Sequence, residues 1–353
     1  MPRPTEVMQR LGLQHPVIQG PFGGGISTAK LTAAVSERGG LGSFGCYTNT
    51  PAEIEQIVRD IRALTDKPFA LNLWVSNNDP GGDKLTPEQL DAVWPFFEPY
   101  YREFGIEKPK PPERFFQNFD EQMDVVLETK PAVFSFVFGV PSKRILDECR
   151  KRGIVTVGAV TTLAEAEAMD AADVDAILTT GFEAAGHRPS FLASPEDSLM
   201  GTASLTRIVA SKFKRPVVAA GGMADRAGID AMLSLGAGAA QLGTAFLATQ
   251  ESGTTDAHRH ELFGAGGAKT QLTRTYSGRL ARGIPNRLTE ALTPHLAKLP
   301  PFPIEVWLVG PLRRAAAAQG RPDFAVLYSG QGAPLLKHRS VAALMDDLTS
   351  ERD

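Results

Sequence analysis

Cysteine is nearly absent from this 353-residue chain: Cys46 and Cys149 are the only two. A pair this sparse makes neither a disulfide framework nor a metal-ligand pattern. Each lies among apolar residues, so buried free thiols are expected. Positive charge is not in surplus either, with 37 Lys and Arg against 40 Asp and Glu and a net charge of −3. That balance argues against a nucleic-acid or acidic-membrane partner. No run approaches the roughly 18 apolar residues of a membrane span. The opening MPRPTEVMQRLGLQHPV has no long apolar core and no cleavage-type sequence, so the cytoplasm is the expected compartment. Several catalytic signatures are missing too. There is no HExxH, no paired-cysteine site and no G-x-S-x-G elbow, and no metal is expected. No G-x-G-x-x-G follows a strand-like run, which removes a dinucleotide held by a Rossmann unit. Gly264 to Thr270 resembles a nucleotide phosphate loop only faintly, because its lysine does not directly follow a glycine.

Glycine, by contrast, is plentiful at 34 residues, and its placement is informative. The stretch Pro216 to Leu247 reads PVVAAGGMADRAGIDAMLSLGAGAAQLGTAFL. A short apolar run stops at Gly221-Gly222, and a helical pattern follows with Ile229, Met232, Leu233 and Leu235 largely on one face. A second run, Ala239 to Leu242, stops at Gly243-Thr244 before another helix start. Glycines where a strand feeds a helix let backbone N–H groups converge on a small anion. Two such turns on consecutive units match the phosphate grip that follows the last two strands of a (βα)8 barrel. Read singly, either could be no more than a tight turn.

The rest of the chain supplies the other strands. Apolar runs at 16–20, 41–45, 68–73, 132–138, 154–160 and 174–180 precede the two just described, and helical patterns separate most of them. Thr50, Pro51 and Glu53 form an N-terminal box for a helix to Leu64. Eight alternating units predict an α/β fold with a closed parallel TIM (βα)8 barrel rather than a doubly wound open sheet. Alternation breaks once, at 76–118, where proline and aromatic residues predict an insertion after strand three containing one helix from Pro87 to about Phe104. The expected organisation is a barrel over 1–250 and a C-terminal helical extension over 251–353 that folds back across the barrel mouth. Such a mouth insertion often becomes a lid.

Of six histidines, His187 is best placed, because it follows strand six at the C-terminal end where barrels keep reactive groups. Small residues surround it (Gly181, Ala184, Ala185, Gly186), leaving room for a flat ligand. An imidazole there can accept or return a proton near neutrality. His258 and His260 lie two apart on a helical pattern, without metal-ligand spacing, and are expected to be solvated. A phosphate-bearing cofactor at strands seven and eight would also need a polar contact from Asn72 on strand three. It would need close backbone approach from Gly20 to Gly25 as well. Flavin mononucleotide (FMN) fits those demands: a phosphate for the glycine turns, a ribityl chain across the mouth and a ring over small residues. A non-catalytic phosphate-binding barrel without flavin remains open at this point.

The stretches PVIQGPFGGGIS, GLGSFGCY, FALNLWV, VFSFVFG, GFEAAGHRPSF, AAGGMADR, AQLGTAFLATQES and YSGRLARGIPN together resemble the nitronate monooxygenases, formerly 2-nitropropane dioxygenases, in their class I branch. The resemblance spans nearly the whole chain. It implies an FMN-containing barrel that oxidises alkyl nitronates such as propionate 3-nitronate with O2, giving a carbonyl compound and nitrite. His187 would then be the base for neutral nitroalkanes. Asn72, Gly222 and the run Gln241, Leu242, Gly243 and Thr244 would contact FMN, together with Gly20, Pro21, Phe22, Gly23, Gly186 and Gly221. Thr180 and Ala185 occupy further FMN-contact positions where Gln and Gly are expected, and Phe22 and Pro189 stand in place of a common Met and Gly. The implied partners are a small nitronate or nitroalkane and O2, with a monomer or homodimer as the assembly. Enoyl-ACP reductases and NADH:quinone reductases of the same superfamily, which use NAD(P)H, are the alternative reading.

Overall fold

The computed structural model describes residues 5–76 and 85–350. Its centre is an eight-stranded parallel sheet of the runs Val17–Gln19, Gly42–Gly45, Phe69–Trp74, Val133–Val137, Val155–Val160, Ala176–Thr180, Val217–Ala220 and Ala239–Leu242. Each is hydrogen-bonded to its neighbours in chain order, and the first strand also pairs with the last, in register Val17↔Ala240. A parallel bridge between Ile18 and Leu41 joins the first strand to the second and closes the barrel. All eight strands coincide with the apolar runs of the sequence.

Strand periodicity explains the interior. Side chains alternate across a strand, so Ala70, Val133, Val157, Ala159, Ala176, Leu178, Val218, Ala220 and Ala239 turn inward and form one buried cluster. The N-terminal helix Glu6–Leu11 adds Val7, Met8 and Leu11 to that cluster. The intervening residues Leu71, Leu73, Phe134, Phe136, Ile177 and Val217 pack outward in a separate cluster with the surrounding helices. Helix starts follow the expected chemistry: Thr50 caps Pro51–Leu64 in a complete capping box with Glu53, and Asp225 caps Arg226–Ser234 by accepting from the Gly228 amide.

Two expectations need correction. The insertion does not hold one helix to Phe104. It forms Pro87–Val93, a tight turn Trp94–Phe96 and a second short helix Glu98–Glu103. Pro95 and Pro99 lack the amide hydrogens a continuous helix would use, which is why it breaks. Residues 77–84 of the insertion lie outside the described residues. The C-terminal region is also more than helices and loops. Gln271–Thr273 and Ala281–Gly283 pair antiparallel with each other, and the latter pairs with Gly186–His187 on the loop after barrel strand six. Leu90, Val93, Phe97 and Tyr101 of the insertion pack with Tyr276, Leu288, Leu292 and Leu308 in one cluster. Insertion and C-terminal region thus share a core above the barrel. Cys46 and Cys149 are both buried thiols, and burial pushes the Cys149 thiol up to about 12.

Candidate active site

At the C-terminal ends of the strands the inward positions change from aliphatic to polar. The period of two that puts Ala70, Val133, Leu178 and Ala239 in the core puts Asn72, Ser135, Thr180 and Gln241 one layer higher, where all four line a cavity. Asn72 Nδ2 donates to Ser135 Oγ at 3.0 Å. Below Thr180, the buried Arg188 donates to its carbonyl at 2.9 Å and to that of Ser198 at 2.6 Å. The guanidinium thereby fixes the strand end while leaving the Thr180 side chain to the cavity.

Both glycine turns open into this same cavity. Gly221 and Gly222 have φ of 120° and 73°, conformations that L side chains rarely adopt. A Cβ at Gly221 would stand 2.6 Å from Thr202 Oγ1. Thr202 is pinned there because its amide and hydroxyl both donate to Glu183. Among the described residues, the amides of Gly222 and Gly243 donate to no protein acceptor. A third segment joins the turns: Gly330 donates its amide to Thr244 Oγ1 at 2.9 Å, and a Cβ on Gly332 would meet the Gly222 carbonyl at 2.7 Å. Only glycines let this strap lie so close, and the result is a cradle of backbone donors suited to an anionic group.

His187 lines the same cavity. Its Nε2 shares a 2.7 Å hydrogen bond with Ser277 Oγ and lies 3.4 Å from the Tyr328 hydroxyl. Trp74 meets the ring edge-on at a centroid distance of 5.1 Å, and Tyr47 stacks flat on Trp74 at 3.7 Å. Burial, and secondarily the positive charge of Arg279, lower the His187 pKa to about 3. Burial raises the Tyr328 phenol well above its ordinary value. Near neutral pH, then, the imidazole is uncharged and the phenol protonated. No carboxylate lines the cavity among the described residues, whereas Arg313 does. Arg313 makes no hydrogen bond or ion pair with any described residue. A second cavity of about 500 Å³ lies beyond Tyr47 and Trp74, but neither the glycine turns nor His187 reach it.

The cavity gathers His187, Gly20, Pro21, Phe22, Gly23, Asn72, Thr180, Ala185, Gly186, Gly221, Gly222, Gln241, Gly243 and Thr244. Leu242 is not among its lining residues. Its side chain packs with Val17 and Ala219 in a hydrophobic cluster, and its carbonyl accepts from the Gly20 amide at 2.8 Å. His258, expected in solvent, is buried and donates from Nε2 to the Tyr328 carbonyl at 2.9 Å. Burial lowers its pKa to about 4. Sequence reasoning missed Tyr328, Gly330 and Gly332, although the string YSGQG carried a turn signal. It also missed Ser277, Trp74 and Arg313 as cavity residues, since nothing local marks an arginine on a C-terminal helix as facing a barrel mouth.

A closed barrel with a glycine-built cradle and a half-buried imidazole lining one cavity at the strand C-termini is the architecture of a barrel enzyme. A family model described as nitronate monooxygenase matches residues 5–351. The chain is 40% identical over 345 residues to a nitronate monooxygenase of Pseudomonas aeruginosa, covering 97% of each chain. It is 38% identical to one of Paraburkholderia phytofirmans, covering 97% of this chain and 93% of that one. Among solved structures, a nitroalkane oxidase from Streptomyces ansochromogenes superposes with a TM-score of 0.87 at 33% identity, over 98% of this chain and 96% of that one. FabK from Thermotoga maritima superposes at 0.75 with 25% identity, over 98% and 94% of the two chains. The chain belongs to the nitronate monooxygenase family and is an oxidoreductase. No helix among the described residues is long and apolar enough to cross a membrane.

Proposed function

We propose that the protein binds FMN and uses it to oxidise alkyl nitronates with O2 to a carbonyl compound and nitrite. One observation carries this reading: two glycine turns and His187 line a single cavity that has an arginine and, among the described residues, no carboxylate. The residues fit FMN. The free amides of Gly222 and Gly243, with the Gly330–Gly332 strap, suit its phosphate, and Asn72, Thr180 and Gln241 offer polar contacts at mid-cavity. When bound, the flavin supplies the electron acceptor of the reaction.

The protein's own residues do the rest. A nitronate is already deprotonated and electron-rich, so it needs an anion-tolerant pocket more than a base. Arg313 supplies a positive charge, and a lining without carboxylates spares the anion repulsion. For a neutral nitroalkane, His187 Nε2 takes the proton. Once Nε2 carries the proton, the Ser277 and Tyr328 hydroxyl oxygens can accept from it, which a rotatable O–H allows. The imidazolium so formed is balanced by the nitronate made beside it. Trp74, Phe138 and Tyr328 pack against the ring.

Anaerobic mixing tests the reading. FMN bound to the protein should bleach with propionate 3-nitronate and stay yellow with NADH. Bleaching by NADH alone would mark a reductase instead, and a protein that cannot be loaded with FMN would remove both.

A further inference from the structure

We propose that Arg279 is a positioning residue for His187: its guanidinium clamps the aromatic wall behind the imidazole, from the same turn that sets the Ser277 hydroxyl on Nε2. The inference rests on the role given above to His187, but its direct test does not need turnover.

The turn Ser277-Gly278-Arg279 makes a different contact at each residue. Ser277 Oγ lies 2.7 Å from His187 Nε2 and also accepts from the Arg279 amide at 3.3 Å. Gly278 has φ of 80°, and a Cβ there would fall 2.4 Å from the Phe302 amide nitrogen, so the turn is wedged under that backbone. Arg279 then reaches over three rings, at 3.6 Å from the Phe138 centroid, 4.6 Å from Phe302 and 5.3 Å from Trp74. Its Nη2 donates to Ser76 Oγ at 3.3 Å. Two of those rings are the ones that meet His187 edge-on, Trp74 at 5.1 Å and Phe138 at 6.4 Å. One short turn thus sets the hydroxyl on Nε2, braces the wall behind the ring and places a cation on the far side of that wall.

Other charges near the imidazole cannot substitute for it. Arg188 follows His187 directly, but its guanidinium is spent on the carbonyls of Thr180 and Ser198. Arg282, on the strand paired with Gly186–His187, turns to the Phe182 carbonyl and Thr270 Oγ1. Arg313, Tyr47, Tyr276 and Tyr328 complete the titratable and charged groups lining the cavity among the described residues, with Tyr328 the one in contact with the ring. Of the charged side chains, Arg279 alone adds to burial in lowering the His187 pKa.

The test is the titration of His187 in the FMN-loaded protein, followed through the Cε1–H signal of isotope-labelled histidine. The signal is assigned by its loss in His187→Asn. Wild type and R279K should show no titration between pH 8 and 4.5. R279M should raise the midpoint by roughly one unit, still below the window, and R279E by roughly another, into it. The ratio of nitroalkane to nitronate turnover should fall at least fivefold in R279M and recover in R279K. A His187 signal in R279E that still does not titrate in the window, or an equal turnover ratio in R279K and R279M, would overturn the proposal. Should R279E lose its circular dichroism spectrum or its flavin, the ratio of nitroalkane to nitronate turnover in R279M against R279K decides the matter by itself. Absence of nitronate oxidation with the titration as predicted would instead fault the functional reading alone.

Discussion

In the proposed reaction, two side chains divide the work of the cavity between proton and charge. His187 is neutral because it is buried, so removing it should matter only where a proton must be moved. His187→Asn is expected to lower turnover of neutral nitroalkanes by about 10²–10⁴-fold, the usual worth of a general base, and to spare most of the nitronate rate. Equal loss on both substrates would contradict the proton-transfer role. Arg313 is the complementary case. It brings a permanent positive charge to the cavity lining and has no ion-pair partner among the described residues, so it suits a second anionic group on the substrate. Arg313→Met should raise KM for propionate 3-nitronate at least tenfold, as expected for loss of a charge-assisted contact, with far less effect on ethyl nitronate, which carries no second anionic group. Steady-state kinetics on the pair of substrates decide it.

At the scale of elements, the strand-turn unit and one C-terminal helix make separate predictions. Gly221→Ala puts a Cβ against Thr202 at φ 120°, which should cost about 1–3 kcal/mol of stability and weaken FMN binding. Gly201→Ala, whose nearest neighbour would be 3.5 Å away, should do neither. Helix Ile304–Ala318 carries Glu305 fully buried, with both carboxylate oxygens unpartnered among the described residues. Burial raises its pKa well above the carboxylate range. The native state then holds a proton that the unfolded state has released above its ordinary pKa, so this group's contribution to stability is present below that pKa and lost as pH rises. Glu305→Met should therefore raise Tm, with a gap that opens above about pH 4.5 and widens by up to about 1.4 kcal/mol per unit. A gap independent of pH would contradict the assignment. These elements were unequally legible in the sequence. The eight strands were readable because buried parallel strands are continuous apolar runs bounded by glycine. The strap at Gly330–Gly332 and the strand at Ala281–Gly283 were not, because their partners lie at Thr244 and His187, far off in the chain. The side-chain direction of Leu242 was hidden for a simpler reason: contiguity with Gln241 and Gly243 cannot show that strand alternation turns it away.

For the whole molecule, pH ties site and stability together. His187 and His258 both have pKa values lowered by burial, to about 3 and about 4. Unfolding lets each take up a proton below pH 6.5, so the stability they contribute is present above that value and lost as pH falls toward the folded values. Urea unfolding should show stability declining from pH 6.5 to 5. In His258→Gln, which can still donate to the Tyr328 carbonyl, the slope should be smaller by up to about 1.4 kcal/mol per pH unit. An unchanged slope would mean that His258 is not held neutral by burial.

The central claim is that the turns at Gly221-Gly222 and Gly243-Thr244 hold one phosphate, with the ring system of the same molecule beside His187. A crystal structure of the FMN-loaded protein tests it most directly. The account predicts phosphate oxygens within hydrogen-bond reach of the Gly222 and Gly243 amides and the isoalloxazine facing the imidazole. A flavin whose phosphate touches only one turn, or whose ring lies away from His187, would contradict it.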